Sequence, residues 1–148
     1  MLIPILKTLF IRDLEKLKVE LELYRNEQNI WLVDKQITNT AGNLCLHLIG
    51  NLNTYIGAEL GKTGYIRNRP LEFSSGPVPR TELLKSIDET IQMIDSTLDQ
   101  LSEEQMANEY PQEVTGGKVS TGYFLTHLAT HLSYHLGQVN YHRRLLDN

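Results

Sequence analysis

STGYFLTHLATHLSYHLGQVNYHRRLL, residues 120–146, reads as one long helix, and four of the chain's five histidines fall within it. At about 100° per residue, with Phe124 as zero, His127 lies near −60°, His131 near −20°, His135 near +20° and His142 near 0°, so all four share one face. Phe124 and Leu128 lie on the same arc, with Val139 and Leu145 at its edges, so this is the face that turns toward a core. Burying an imidazole without a partner costs roughly 1–3 kcal/mol. A metal ion is one way to satisfy several at once. Histidines four residues apart are separated by about 6 Å along the axis and can share an ion, whereas His127 and His135, about 12 Å apart, cannot. One ion therefore takes either His127 with His131 or His131 with His135, and completes its shell from elsewhere.

The fifth histidine, His47, lies in a second helical stretch, which begins at Asn39 or Thr40 as cap and runs to about Leu60. Its inner face carries Leu44, His47, Leu48, Asn51 and Tyr55. Two further helices follow from spacing. Ile3, Leu6, Phe10, Leu14, Leu17, Leu21 and Tyr24 recur three and four apart over residues 3–26, with Pro4 in the first turn, where its missing N–H is harmless. Leu84, Ile87, Ile91, Ile94, Leu98 and Leu101 form a third stripe, read as core alone. Between these lie a connection from Asn26 to Asn39 anchored by Trp31, Leu32 and Val33, and a Pro- and Gly-rich loop or crossover from Gly61 to Pro79. Ser102 to Gln105 has a capping-box pattern, and a turn or small hairpin covers Tyr110 to Gly122.

Four amphipathic helices, each with one apolar face, bury those faces in an all-α four-helix bundle, with a long connection between the second and third helices. At 148 residues the chain reads as a single domain, 1–148. A formal net charge of −4 and the lack of a Lys/Arg run argue against nucleic acid as a partner. The opening MLIPILKTLFIRDLEK has too short an apolar run for a secretory core or a membrane span, which points away from the membrane and to the cytoplasm. The lone Cys45 agrees with a reducing compartment, and its phase, about 200° from His47, makes it a small buried apolar residue rather than a nucleophile.

His131-Leu-Ser-Tyr-His135-Leu-Gly-Gln138 resembles the H-x-x-x-H-x-G-Q signature of the DinB-like (DinB/YfiT) family of metalloenzymes. Gly42-Asn43-Leu44-Cys45-Leu46-His47-Leu48-Ile49-Gly50-Asn51-Leu52 is similar to that family's histidine-bearing helix. Arg69-Pro-Leu-Glu72-Phe73 resembles a segment found in a narrower subfamily. The resemblance implies an up-down-down-up bundle, often a homodimer, with a divalent ion, zinc or nickel, held by His47, His131 and His135. It thus chooses the 131/135 pair, which geometry leaves open. It also implies a small-molecule substrate and activities that include transfer of a low-molecular-weight thiol to an electrophile and metal-dependent hydrolysis.

Three imidazoles leave an ion with open positions, where a bound water or thiol is acidified. Residues that orient the imidazoles through their second ring nitrogen, or that meet substrate, are sought by spacing in Asn51, Tyr55 and Gln138. His127 reads as a satisfied core or supporting histidine, His142 as a contact with solvent or a partner near the helix end, and Tyr134 and Leu132 as packing positions. Arg69 and Glu72 read as an ion pair that fixes the loop, or else Arg69 covers the site and binds an anionic substrate group. No acidic residue falls on the inner face of the second or fourth helix, so no carboxylate base is identified and the catalytic residues stay open. That absence favours thiol activation, or plain binding, over hydrolysis. The competing function is a non-catalytic, dimeric module that binds metal or ligand.

Overall fold

A computed structural model describes residues 1–148. It is all-α, with helices α1 (Leu2–Glu22), α2 (Ala41–Leu52), α3 (Arg69–Ser74), α4 (Arg80–Asp99), α5 (Glu103–Ala107) and α6 (Thr121–Leu146). A 3-10 segment, Glu27–Trp31, precedes α2, and a π-helical segment, Asn53–Ala58, prolongs it. α1 packs on α4 and α6, and α2 packs on the same two helices from the other side of the core. No helix is long and apolar enough to cross a membrane.

Local chemistry sets where these helices begin. Thr40 accepts from the Asn43 N–H at 2.9 Å and starts α2, and Ser120 accepts from the Tyr123 N–H at 3.1 Å and starts α6. Ser102 and Gln105 form the capping box read in the sequence. α1 has no cap of its own, and the Glu103 carboxylate of α5 accepts from the N–H groups of Leu2 and Ile3 instead. Leu6, Phe10, Leu14, Leu17 and Leu21 are all essentially sealed from solvent, each contributing roughly 1.5–3 kcal/mol of burial.

α2 is the central helix, and ten of its twelve residues are buried. It touches α3, α4, α6 and the 3-10 segment, so a polar side chain such as His47 has no open face to turn to. Gly42 lets the Trp31 ring lie directly on the α2 backbone, in the space a Cβ would fill.

Several expectations are corrected. The first helix ends at Glu22 rather than residue 26, because Asn26 already accepts from the Gln28 N–H and opens the 3-10 segment. That connection is anchored by Ile30 and Trp31, while Leu32 and Val33 are 40% and 58% exposed, lifted out by the Asp34–Ile37 turn. The second helix reaches residue 58 only by widening into π form, where the Tyr110 hydroxyl donates to the Tyr55 carbonyl at 2.8 Å. The 61–79 stretch is not wholly irregular: Asn68 caps α3, and Pro70 sits in its first turn, where proline is tolerated. The buried face of α4 is Leu83, Ile87, Thr90, Ile94, Thr97 and Leu98, while Leu84, Ile91 and Leu101 are half-buried. Its stripe is rotated because α4 must also meet the prolonged α2, where Asn53 donates to Thr90 at 2.9 Å and Gly61 admits Thr97. Residues 110–122 hold isolated bridges and no strand, with Thr115 and Gly116 at φ 52° and 85° closing the turn.

Candidate metal centre

His47 from α2 and His131 and His135 from α6 meet between the two helices. The Nε2 atom of His131 lies 3.2 Å from Nε2 of His47 and 3.1 Å from Nε2 of His135. Their ligand atoms all lie within 4.8 Å of one another, a group that could hold a metal ion. Two nitrogens about 2.05 Å from a tetrahedral ion stand about 3.3 Å apart, close to the two spacings from His131.

The outer ring nitrogens decide where the lone pairs point. His47 Nδ1 donates to Glu72 Oε1 at 3.1 Å, and His135 Nδ1 donates to Gln138 Oε1 at 2.7 Å. Each therefore carries its proton on Nδ1 and a bare lone pair on Nε2. His131 can donate to only one of them. At least one lone pair is left facing the others, an arrangement that a cation satisfies and hydrogen bonding alone does not. The Nδ1 atom of His131 is buried without a partner. Burial holds His131 down at about 4, helped by His135, His47, His127 and Arg67, and burial likewise lowers His47 against the pull of Glu72. Both imidazoles are thus neutral at pH 7, the state in which they ligate.

Glu72 is the residue that sequence reasoning missed. It is only 6% exposed, and Arg67 grips both of its oxygens, Nε on Oε2 at 2.8 Å and Nη2 on Oε1 at 2.9 Å. Gly50 makes this possible, since a Cβ there would run into the Glu72 carboxylate. Asn43 donates to the Glu72 carbonyl at 3.0 Å, and the Phe73 ring lies 4.9 Å from that of His47. The expectation that Glu72 pairs with Arg69 is therefore corrected. The partner is Arg67, whose chain position at the end of the loop brings its guanidinium beneath the Tyr55 ring, 5.9 Å away. No acid is buried on α2 or α6, and the carboxylate beside His47 arrives from α3. The only clue in the sequence was the Arg69–Phe73 segment itself.

A cavity of about 420 Å³ opens beside His47 and His131. It brings together four of the expected supporting or substrate residues, namely Asn51, Tyr55, His127 and Arg69, and adds Arg67 and Glu113. Asn51 makes no hydrogen bond to His47, and its Oδ1 is buried without a partner. His127 is exposed rather than a core residue, with its ring stacked on Phe124 at 6.0 Å. Gln138 alone of these bonds a triad histidine. His142 is no surface contact: it is 3% exposed, its Nε2 donating to the Leu32 carbonyl at 2.8 Å and its Nδ1 accepting from the Tyr24 hydroxyl at 2.6 Å. The connection after α1 folds over the end of α6 and encloses it. Tyr134 is 66% exposed and packs in no core, whereas Leu132 is fully buried. Cys45 is fully buried, and burial pushes its thiol up to about 12, which leaves it no part in nucleophilic chemistry.

Residues 10–148 match the family model described as "Protein of unknown function (DUF1572)". No curated protein matches the chain. The chain belongs to the DUF1572 family.

Proposed function

We propose that this member of the DUF1572 family is a DinB-like metalloprotein that holds a divalent ion, zinc or nickel, on the Nε2 atoms of His47, His131 and His135, and acts as a metal-dependent enzyme on a small molecule. The observation that carries this reading is the convergence of three Nε2 atoms, two of them on imidazoles, His47 and His135, whose tautomers are set from behind by Glu72 and Gln138.

An up-down-down-up four-helix bundle belongs to the same reading. Lys7 pairs with Asp95 and Asp99 while Lys18 pairs with Asp88, which supports α1 and α4 running in opposite senses. Tyr24 on His142, and Leu2 beside Gly122, support α1 and α6 running together. His47 meets His135 while Tyr55 meets Phe124, so α2 opposes α6.

When bound, the ion supplies a field that acidifies a water or thiol held beside it. The protein's own part is to aim the imidazoles of His47 and His135 through Glu72 and Gln138, and to hold His47 and His131 neutral by burial. No carboxylate oxygen joins the three-histidine group, and Glu72 is occupied by Arg67 and His47. With no free carboxylate among the histidines, the acidifying field acts largely alone at the ion. A thiol with a free pKa of about 8.5 needs far less of it than water near 15.7, which favours thiol transfer over hydrolysis. Glu113, at the cavity wall, is the residue through which a hydrolytic route would run. A homodimer is also part of this proposal, supported by Tyr134, Tyr141 and Leu145, exposed along one face of α6.

The test is metal analysis of untagged protein together with thermal melts in added zinc or nickel. One bound divalent ion, lost in His131→Ala and kept in His127→Ala, is the expected result. Protein without metal, and with a melting temperature indifferent to either ion, would sink the proposal.

A further inference from the structure

The charges around the cavity point to what it takes. Three imidazoles bring no negative charge to a divalent ion, and Glu72 is matched by Arg67 through both of its oxygens. Arg69 and Glu113 are the other charged side chains on the cavity wall, and neither has an ion-pair partner. They offset each other, so the ion's own charge is left over. An excess of positive charge in a half-enclosed cleft recruits an anion.

Asn51 adds a second and independent sign. It lines the same cavity, is only 8% exposed, and makes no side-chain hydrogen bond within the protein, with its Oδ1 cut off from solvent. A buried carbonyl oxygen left so is unusual, and a donor on a ligand would satisfy it. The remaining wall is apolar: the edge of Tyr55 against Phe124, their rings 5.2 Å apart, and Leu128.

We propose that this cavity binds a small organic acid: its carboxylate pairs with Arg69 at the mouth, its apolar body lies against Tyr55 and Phe124, and an N–H or O–H group within it donates to Asn51. The proposal rests on the metal reading above, since the ion supplies the uncompensated charge.

Cobalt-loaded protein gives a visible spectrum that reports both the ion and any ligand beside it. Three probes separate the contacts: hippurate carries a carboxylate, an amide N–H and an aromatic body; hippuramide lacks the charge; N-methylhippurate lacks the donor. Calorimetry is expected to show hippurate binding at least tenfold more tightly than either of the others. Arg69→Ala, an exposed position, is expected to weaken the preference over hippuramide severalfold, and Arg69→Glu to abolish it. Equal binding of hippurate and hippuramide would overturn the proposal, as would a preference undiminished in Arg69→Ala, which would mean that the ion alone draws the anion. Equal binding of N-methylhippurate would remove Asn51 from it. A cobalt spectrum with indifferent probes fails this proposal alone, whereas no cobalt spectrum at all fails the metal reading and takes this one with it.

Discussion

Glu72 and His47 stand 25 residues apart in the chain and 3.1 Å apart in space, the carboxylate Oε1 receiving the Nδ1 proton of the imidazole. One acid thus fixes the tautomer of a proposed ligand, and a short loop helix delivers it.

Removing that acid should loosen the ion without removing a ligand. Glu72→Ala is expected to lower zinc affinity about 10- to 100-fold, with Glu72→Gln, which keeps an acceptor oxygen, losing less. Chelator competition measures both. Unchanged affinity in Glu72→Ala would show that the contact has no hold on the site.

Two glycines should respond in opposite ways to the same change. A methyl at Gly50 meets the Glu72 carboxylate, so Gly50→Ala should cost about 1–3 kcal/mol and weaken metal binding. Gly137 in α6 has nothing near its missing Cβ, so Gly137→Ala should gain up to about 1 kcal/mol of helix propensity. Urea unfolding of the two variants decides this, and equal effects would contradict it.

Acid should act through the histidines. His131 is held near 4, and His47 and His142 are also lowered, all three first by burial. A group with a folded pKa below its unfolded value near 6.5 stabilises fully above that value and loses its contribution as pH falls toward the folded one. Chelator-treated protein is therefore expected to lose stability between about pH 6.5 and 4, with a shallower dependence in His131→Ala. Bound metal should leave over the same range, since protons compete for the same nitrogens. Denaturation at stepped pH, with and without zinc, follows both.

His142 should prove to be structural. His142→Ala removes the bridge between the Tyr24 hydroxyl and the Leu32 carbonyl and opens a cavity, at a cost of about 2–4 kcal/mol. Metal content should stay at the wild-type level. A drop in metal with unchanged stability would place it at the site instead.

The helices and the histidine face were legible because both follow the 3.6-residue period, which local sequence carries. His131 and His135 share a face by spacing, and Gln138 follows three residues on, within reach along one helix. Glu72 was not legible in this way. Its position depends on how residues 61–79 fold back over α2, and that in turn depends on the absence of a side chain at Gly50 and on Asn43 holding the Glu72 carbonyl. His142 shows the converse limit: its phase placed it inward, but its nearness to a helix end suggested solvent, and only the path of residues 24–32 closes that end. The rotation of the α4 stripe toward Thr90 and Thr97 likewise follows from a neighbour, the widened end of α2, that no periodicity in α4 records.

That widened end separates two jobs along one helix. Before Asn53, the register of α2 is set by α6, since His47 must meet His131 and His135. After it, Gly57 and Gly61 seat against Met93 and Thr97 of α4. A π turn takes in one residue more than an α turn, so the two lengths are geared with an offset of about 100°. Repacking on the α4 side is absorbed at the wide turn, and the Tyr55 wall of the cavity can be retuned while His47 keeps its aim.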